Sequence, residues 1–98
     1  MENKDLTLNE FIEHIQNMAV TYFDNAFQRA NRLLNGTSTI NKTTEILNIN
    51  YLCGQYHSCL DLLDKYDVYV MIKTVEQIEQ KYGSNVFDEI IYKAIRKI

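Results

Sequence analysis

A chain of 98 residues with 46% hydrophobic content and no proline has the size of one domain and is too apolar to be disordered. Its net charge of −3 argues against nonspecific nucleic-acid binding, which needs a basic face, and no apolar run approaches the roughly 18–20 residues of a membrane span. Met1–Asp5 is polar and lacks the apolar segment of a secretory signal, so a cytoplasmic protein is the expectation.

The first helix is predicted to begin at Thr7. Thr7 and Glu10 have the spacing of a capping box, and apolar residues then recur at helical intervals from Leu8 to Leu34. Glu2, Asp5, Glu10, Glu13 and Asp24 make this helix acidic, while Arg29 and Arg32 close it where cations favour the helix dipole. Gly36 supplies a left-handed stop.

Helix 2 has candidate caps in Asn41, Thr43 and Thr44, with Glu45 in its first turn and an apolar stripe from Ile46 to Tyr66. Gly54 interrupts the helix at about 1 kcal/mol against alanine, and close packing at that level would explain it. Asp67 can cap helix 3, which ends at Tyr82. Its first residues, Val68 to Ile72, have strand-like composition but no partner strand. Gly83 and Ser84 read as a C-cap followed by an N-cap, and helix 4 carries Val86, Phe87, Ile90, Ile91, Ala94, Ile95 and Ile98. Lys93, Arg96 and Lys97 close the chain.

The expected fold is all-α, a single helical domain over 1–98. Two long antiparallel helices joined by a short loop are covered by two shorter helices. Helix 3 either completes a regular bundle or crosses at an angle; the periodicity fits both. With the Gly36–Thr39 connection as a hairpin, residues of helices 1 and 2 whose numbers add to about 77 lie level. Ile15, Tyr22, Leu52, Leu60 and Leu63 are expected in the core.

Candidate chemistry centres on helix 2. At about 100° per residue, His57, Asp61 and Asp64 fall within about 60° of one another, with Cys53 on the adjoining edge. Thiolate, imidazole and carboxylate are all zinc ligands. His57 heads this set because Cys53 and Asp61 lie one turn away on either side; His14 on helix 1, level with position 63, lies close to Asp61 and Asp64 and about 9 Å of rise from His57. A zinc ion there would tie the two helices together. The competing reading is ordinary: free buried cysteines commonly behave as small core residues, and histidines at boundaries need no ligand. Cys53 and Cys59, six residues apart on one helix, have Cα atoms about 9 Å apart, beyond disulfide reach, and are expected as free thiols. A catalytic Cys–His pair is disfavoured, because Asp61 and Asp64 discourage a thiolate at mid-helix Cys53.

Seven tyrosines are the other distinguishing feature. Tyr22 and Tyr56 fit the core. Tyr51, Tyr69 and Tyr92 fit either an interface or the core's edge. Tyr51 and Tyr69 with Asp61, Asp64 and Asp67 form the expected contact face, suited to a protein partner with a basic surface.

Asparagine, isoleucine, lysine and tyrosine are abundant, as in AT-rich coding sources. In size, composition and mild acidity the whole chain resembles small phage and mobile-element inhibitors of host defence, anti-CRISPR proteins among them. That resemblance implies a noncatalytic protein that binds a nuclease effector and blocks a DNA-loading surface or a conformational step. The chain is similar also to bacteriocin immunity proteins, which are small antiparallel helical bundles. A different class would be a small metal-dependent enzyme or sensor built on His14, Cys53, His57 and Asp61. A DNA-binding regulator ranks last, because helix 3 sets only Lys73 and Lys81 against Glu76 and Glu79.

Overall fold

In the computed structural model, which describes residues 7–96, the capping box at Thr7 forms. The Glu10 amide donates to the Thr7 hydroxyl oxygen, and the Thr7 amide donates to the Glu10 carboxylate at 2.9 Å. Helix α1 (Leu8–Asn35) ends at Gly36, whose φ of 73° places it in the left-handed region where the absence of a Cβ removes the strain. Its buried face carries Ile12, Ile15, Ala19, Phe23, Ala26, Ala30 and Leu33. The three alanines are fully buried and leave room for a second backbone to approach. The expectations for Glu2, Asp5, Lys97 and Ile98 lie outside the described residues.

Helix α2 (Lys42–Tyr66) is capped by Asn41, whose side chain accepts from the Thr44 amide. It runs antiparallel to α1. Phe11 meets Tyr66 edge-on at 5.6 Å, Phe23 meets Tyr56 at 5.1 Å, and Arg29 meets Glu45 at 2.6 Å, so level positions follow the expected register. Ile15 and Leu63 are buried, whereas Tyr22, Leu52 and Leu60 are half-buried at the edge of the core. Gly54 corrects an expectation: it is exposed, and a Cβ there would meet nothing within 4 Å, so close packing does not explain it.

Asp67 joins two helices. Its amide donates to the Leu63 carbonyl, ending α2, while its side chain accepts from the Val70 amide to begin α3 (Val68–Tyr82). The strand-like Val68–Ile72 segment is therefore helical; no strand occurs among the described residues. At its far end Tyr82 packs on Phe27 and Phe23, and Lys81 and Tyr82 both reach Asp24. The rise of α3, about 22 Å, matches the run of α1 from the level of Asp67 to Asp24. Helix α3 thus lies alongside α1 instead of crossing it steeply.

The end of the fold differs from expectation. Ser84 lies in a turn, and the next segment begins without a side-chain cap. A π-helical turn, Phe87–Ile91, closed by the Tyr92 amide donating to the Phe87 carbonyl, runs directly into α4 (Tyr92–Ile95). The wider turn keeps Phe87 against Phe23 and Tyr56 while Ile91 and Ala94 stay buried. The result is an all-α bundle of four helices. Its Cα atoms span 49 × 31 × 18 Å, a slab two helices deep.

Candidate functional site

The four expected metal ligands are not brought together. Cys53 turns into the core, only 8% exposed, and burial pushes its thiol from near 9 up to about 11, keeping it protonated at neutral pH. His57 and Asp61 are exposed. The His57 ring stacks on Phe87 with centroids 5.6 Å apart and planes inclined by 21°, which places it beside the π turn. His14 lines a shallow groove of about 370 Å³ with Asn17, Met18, Thr21 and Tyr22. At about 100° per residue, that groove and His57 fall on opposite sides of the α1–α2 pair. Among the described residues, no group of three or more His, Cys, Asp or Glu side chains is placed to hold a metal ion. Both cysteines are free and buried.

Two polar clusters were not singled out by sequence. Glu45, expected in the first turn of α2, is 1% exposed. Burial acts to raise its pKa, but hydrogen bonds from Arg29 and Ser38 and the charges of Arg29 and Arg32 outweigh it and hold the carboxyl below its ordinary value. Ser38 donates to Glu45 Oε2 at 2.8 Å and accepts from the Ile40 amide, so the same carboxylate fixes the α1–α2 connection. The second cluster joins Asp24 to Tyr82 and Lys81, tying the end of α3 to the middle of α1. Both clusters hold elements together across the fold, and each also borders a surface groove, Tyr82 one of about 420 Å³ and Arg29 one of about 240 Å³.

The contact residues divide between two regions. Tyr69, the most exposed large side chain of the set at 72%, sits in the first turn of α3 with Val68 and Ile72, beyond the exposed Tyr66 that ends α2. Asp61 and Asp64 are exposed on the last turns of α2, and Asp67 is half-buried at the junction, its side chain engaged in capping. Val68, Tyr69 and Ile72 make an exposed apolar corner where α3 begins, and Asp61 and Asp64 lie on the turns of α2 that lead to it, whereas Tyr66 points about 140–160° around α2 from those carboxylates. Tyr51 does not belong to that corner. It lies about 15 Å of helical rise from Asp61 and about 140° around the axis from Asp64. Its hydroxyl accepts from Gln55, and with Arg29, Asn48 and Leu52 it lines a different groove. Tyr92 is exposed beside Phe87, Tyr22 is half-buried, and Tyr56 is buried. The signal for the corner was in the sequence: Val68 and Ile72 are apolar residues one turn apart on a helix whose buried face already has Val70, Thr74 and Ile78.

No helix among the described residues is long and apolar enough to cross a membrane. The chain matches no protein-family profile, no curated protein and no solved structure. The fold and this surface therefore define the class, a small all-α bundle, and function has to be argued from the surface itself.

Proposed function

We propose that the protein acts by binding another protein, without turnover, through the corner between α2 and α3. The observation that carries this reading is the cluster of exposed Val68, Tyr69 and Ile72 at the start of α3. Contiguous apolar surface of this kind marks interaction sites, and tyrosine supplies large contact area with a polar tip. Asp61 and Asp64 select a basic partner and accelerate encounter with it. A nuclease effector that loads DNA presents such a surface, so inhibition by occupying a nucleic-acid channel is the specific form of the reading.

The test starts from a partner recovered from the native host by affinity capture, identified by mass spectrometry and then purified. Tyr69→Ala is expected to weaken the complex by about 1–3 kcal/mol, between roughly fivefold and 150-fold. Asp64→Lys is expected to slow association and flatten its salt dependence. Wild-type affinity and kinetics in both variants would reject the corner as the contact face.

A further inference from the structure

The groove beside Tyr82 lies where α3 ends and the π turn begins, at the opposite end of α3 from the Tyr69 corner. Its volume of about 420 Å³ falls within the range of small-molecule sites. Three local features build it. Gly83, with φ of 98° and ψ of 151°, takes a backbone conformation open essentially to glycine alone and turns the chain out of α3. The rings of Phe27 and Tyr82 pack with centroids 4.2 Å apart, and the Tyr82 hydroxyl is anchored on Asp24. The π turn keeps Phe87 on Phe23 and Ile91 in the core, while Glu89 and Ile90 line the groove. Widened turns of this kind are frequent at functional sites.

Polarity and charge select what fits. The lining combines apolar Phe27, Tyr82 and Ile90 with polar Ser84, Asn85 and Glu89. Among the described residues, the side chains of Ser84, Asn85 and Glu89 make no hydrogen bond or ion pair. Lys81 does not neutralise Glu89: its ammonium is held by Asp24 at 3.1 Å and lies 5.3 Å over the Tyr82 ring. Asp88 beside Glu89 is exposed and equally unpaired, so the potential at the start of the π turn is negative. An anion is repelled there, and a neutral ligand leaves the Glu89 charge unused.

We infer that this groove binds a small organic cation, an alkylammonium group whose charge pairs with the Glu89 carboxylate and whose carbon chain lies along Phe27, Tyr82 and Ile90. The Ser84 hydroxyl and the Asn85 carbonyl oxygen are further acceptors for its N–H donors, and aromatic rings attract such a cation. A free amine and a lysine side chain of another protein carry the same group. The site is independent of the Tyr69 corner, which α3 holds about 20 Å of helical rise away.

The test is an amide-resolved NMR titration of the full chain with butylammonium chloride to about 50 mM, beside sodium chloride at equal ionic strength and 1-butanol at equal concentration. A second arm uses Nα-acetyl-lysine methylamide. The expected result is saturable shifts at the Ser84, Asn85 and Glu89 amides with either amine and with neither control. The tighter of the two amines identifies the source, a free amine or a protein side chain. Glu89→Gln is expected to weaken binding about fivefold, whereas Asp88→Asn, outside the groove lining, stays within about twofold of wild type. Both variants should keep the wild-type circular dichroism. Absence of saturable shifts overturns the inference. So do shifts matched by sodium chloride or 1-butanol, or a folded Glu89→Gln variant with wild-type affinity.

Discussion

A carboxylate removed from water is costly unless its oxygens are paired, and the α1–α2 connection is organised around that requirement. Arg29 serves one Glu45 oxygen and Ser38 the other. Removing Arg29 strands the charge. Arg29→Ala should therefore destabilise the protein by about 2–3 kcal/mol, less than the 3–5 kcal/mol of a fully buried pair because the arginine side chain is 31% exposed. The sign of the pH dependence follows from the lowered Glu45 pKa. The stabilisation is complete above the ordinary carboxyl range and is lost as pH falls through the folded-state value. Urea midpoints of wild type and variant should thus converge in acid. This pair was hidden from sequence because its members lie 16 residues apart and each has a sufficient local role, Arg29 near one helix end and Glu45 near another's start. Cys53 was legible only in part. Its helical spacing fits the buried stripe, but the same spacing also fits a ligand beside His57, and only its 8% exposure separates the two readings.

Helix boundaries were readable because their causes are local. Thr7 with Glu10, Gly36, Asn41 and Asp67 each act within four residues of their own position, and each does what its type predicts. The π turn at Phe87–Ile91 was not readable. It accompanies packing of Phe87 among Phe23, Tyr56 and His57, three rings from two other helices, and a periodicity of 3.6 carries no sign of it. Gly54 failed for the opposite reason. Glycine in a helix suggests a tight crossing, but this one faces solvent with no neighbour within 4 Å. Gly54→Ala should then raise stability by about 0.5–1 kcal/mol, through helix propensity alone. A denaturant melt checks it, and destabilisation would mean that the added methyl group does meet a neighbour in the fold.

Across the whole molecule, the pairing of α1 with α2 followed from a short polar connection and two long stripes. Which side of that pair the later helices cover did not. Periodicity fixes the angle of a residue around its own axis, but the side chosen by α3 and the π turn depends on contacts such as Tyr82 on Phe27 and Lys81 on Asp24. His14 and His57, about 9 Å apart in height by the expected register, accordingly also lie on opposite sides. Tyr51 likewise separates from the Asp61–Tyr69 corner, and the expected contact face resolves into two surfaces.

The shortness of the final helical segment has a consequence in time. Helices α1 and α2 hold 14 of the residues whose side chains are buried, whereas the π turn and α4 are uncapped and contribute only Ile91 and Ala94. Release of residues 87–95 would open few backbone bonds and would leave the α1–α2 hairpin intact. Their amide protons should then exchange with solvent through a partial opening of lower free energy than global unfolding. Native-state hydrogen exchange would report this as a step insensitive to denaturant at low concentration, while Ala19, Phe23 and Ile49 exchange only with complete unfolding. A single shared isotherm for all these amides would mean that the end of the chain is locked as firmly as the hairpin it covers.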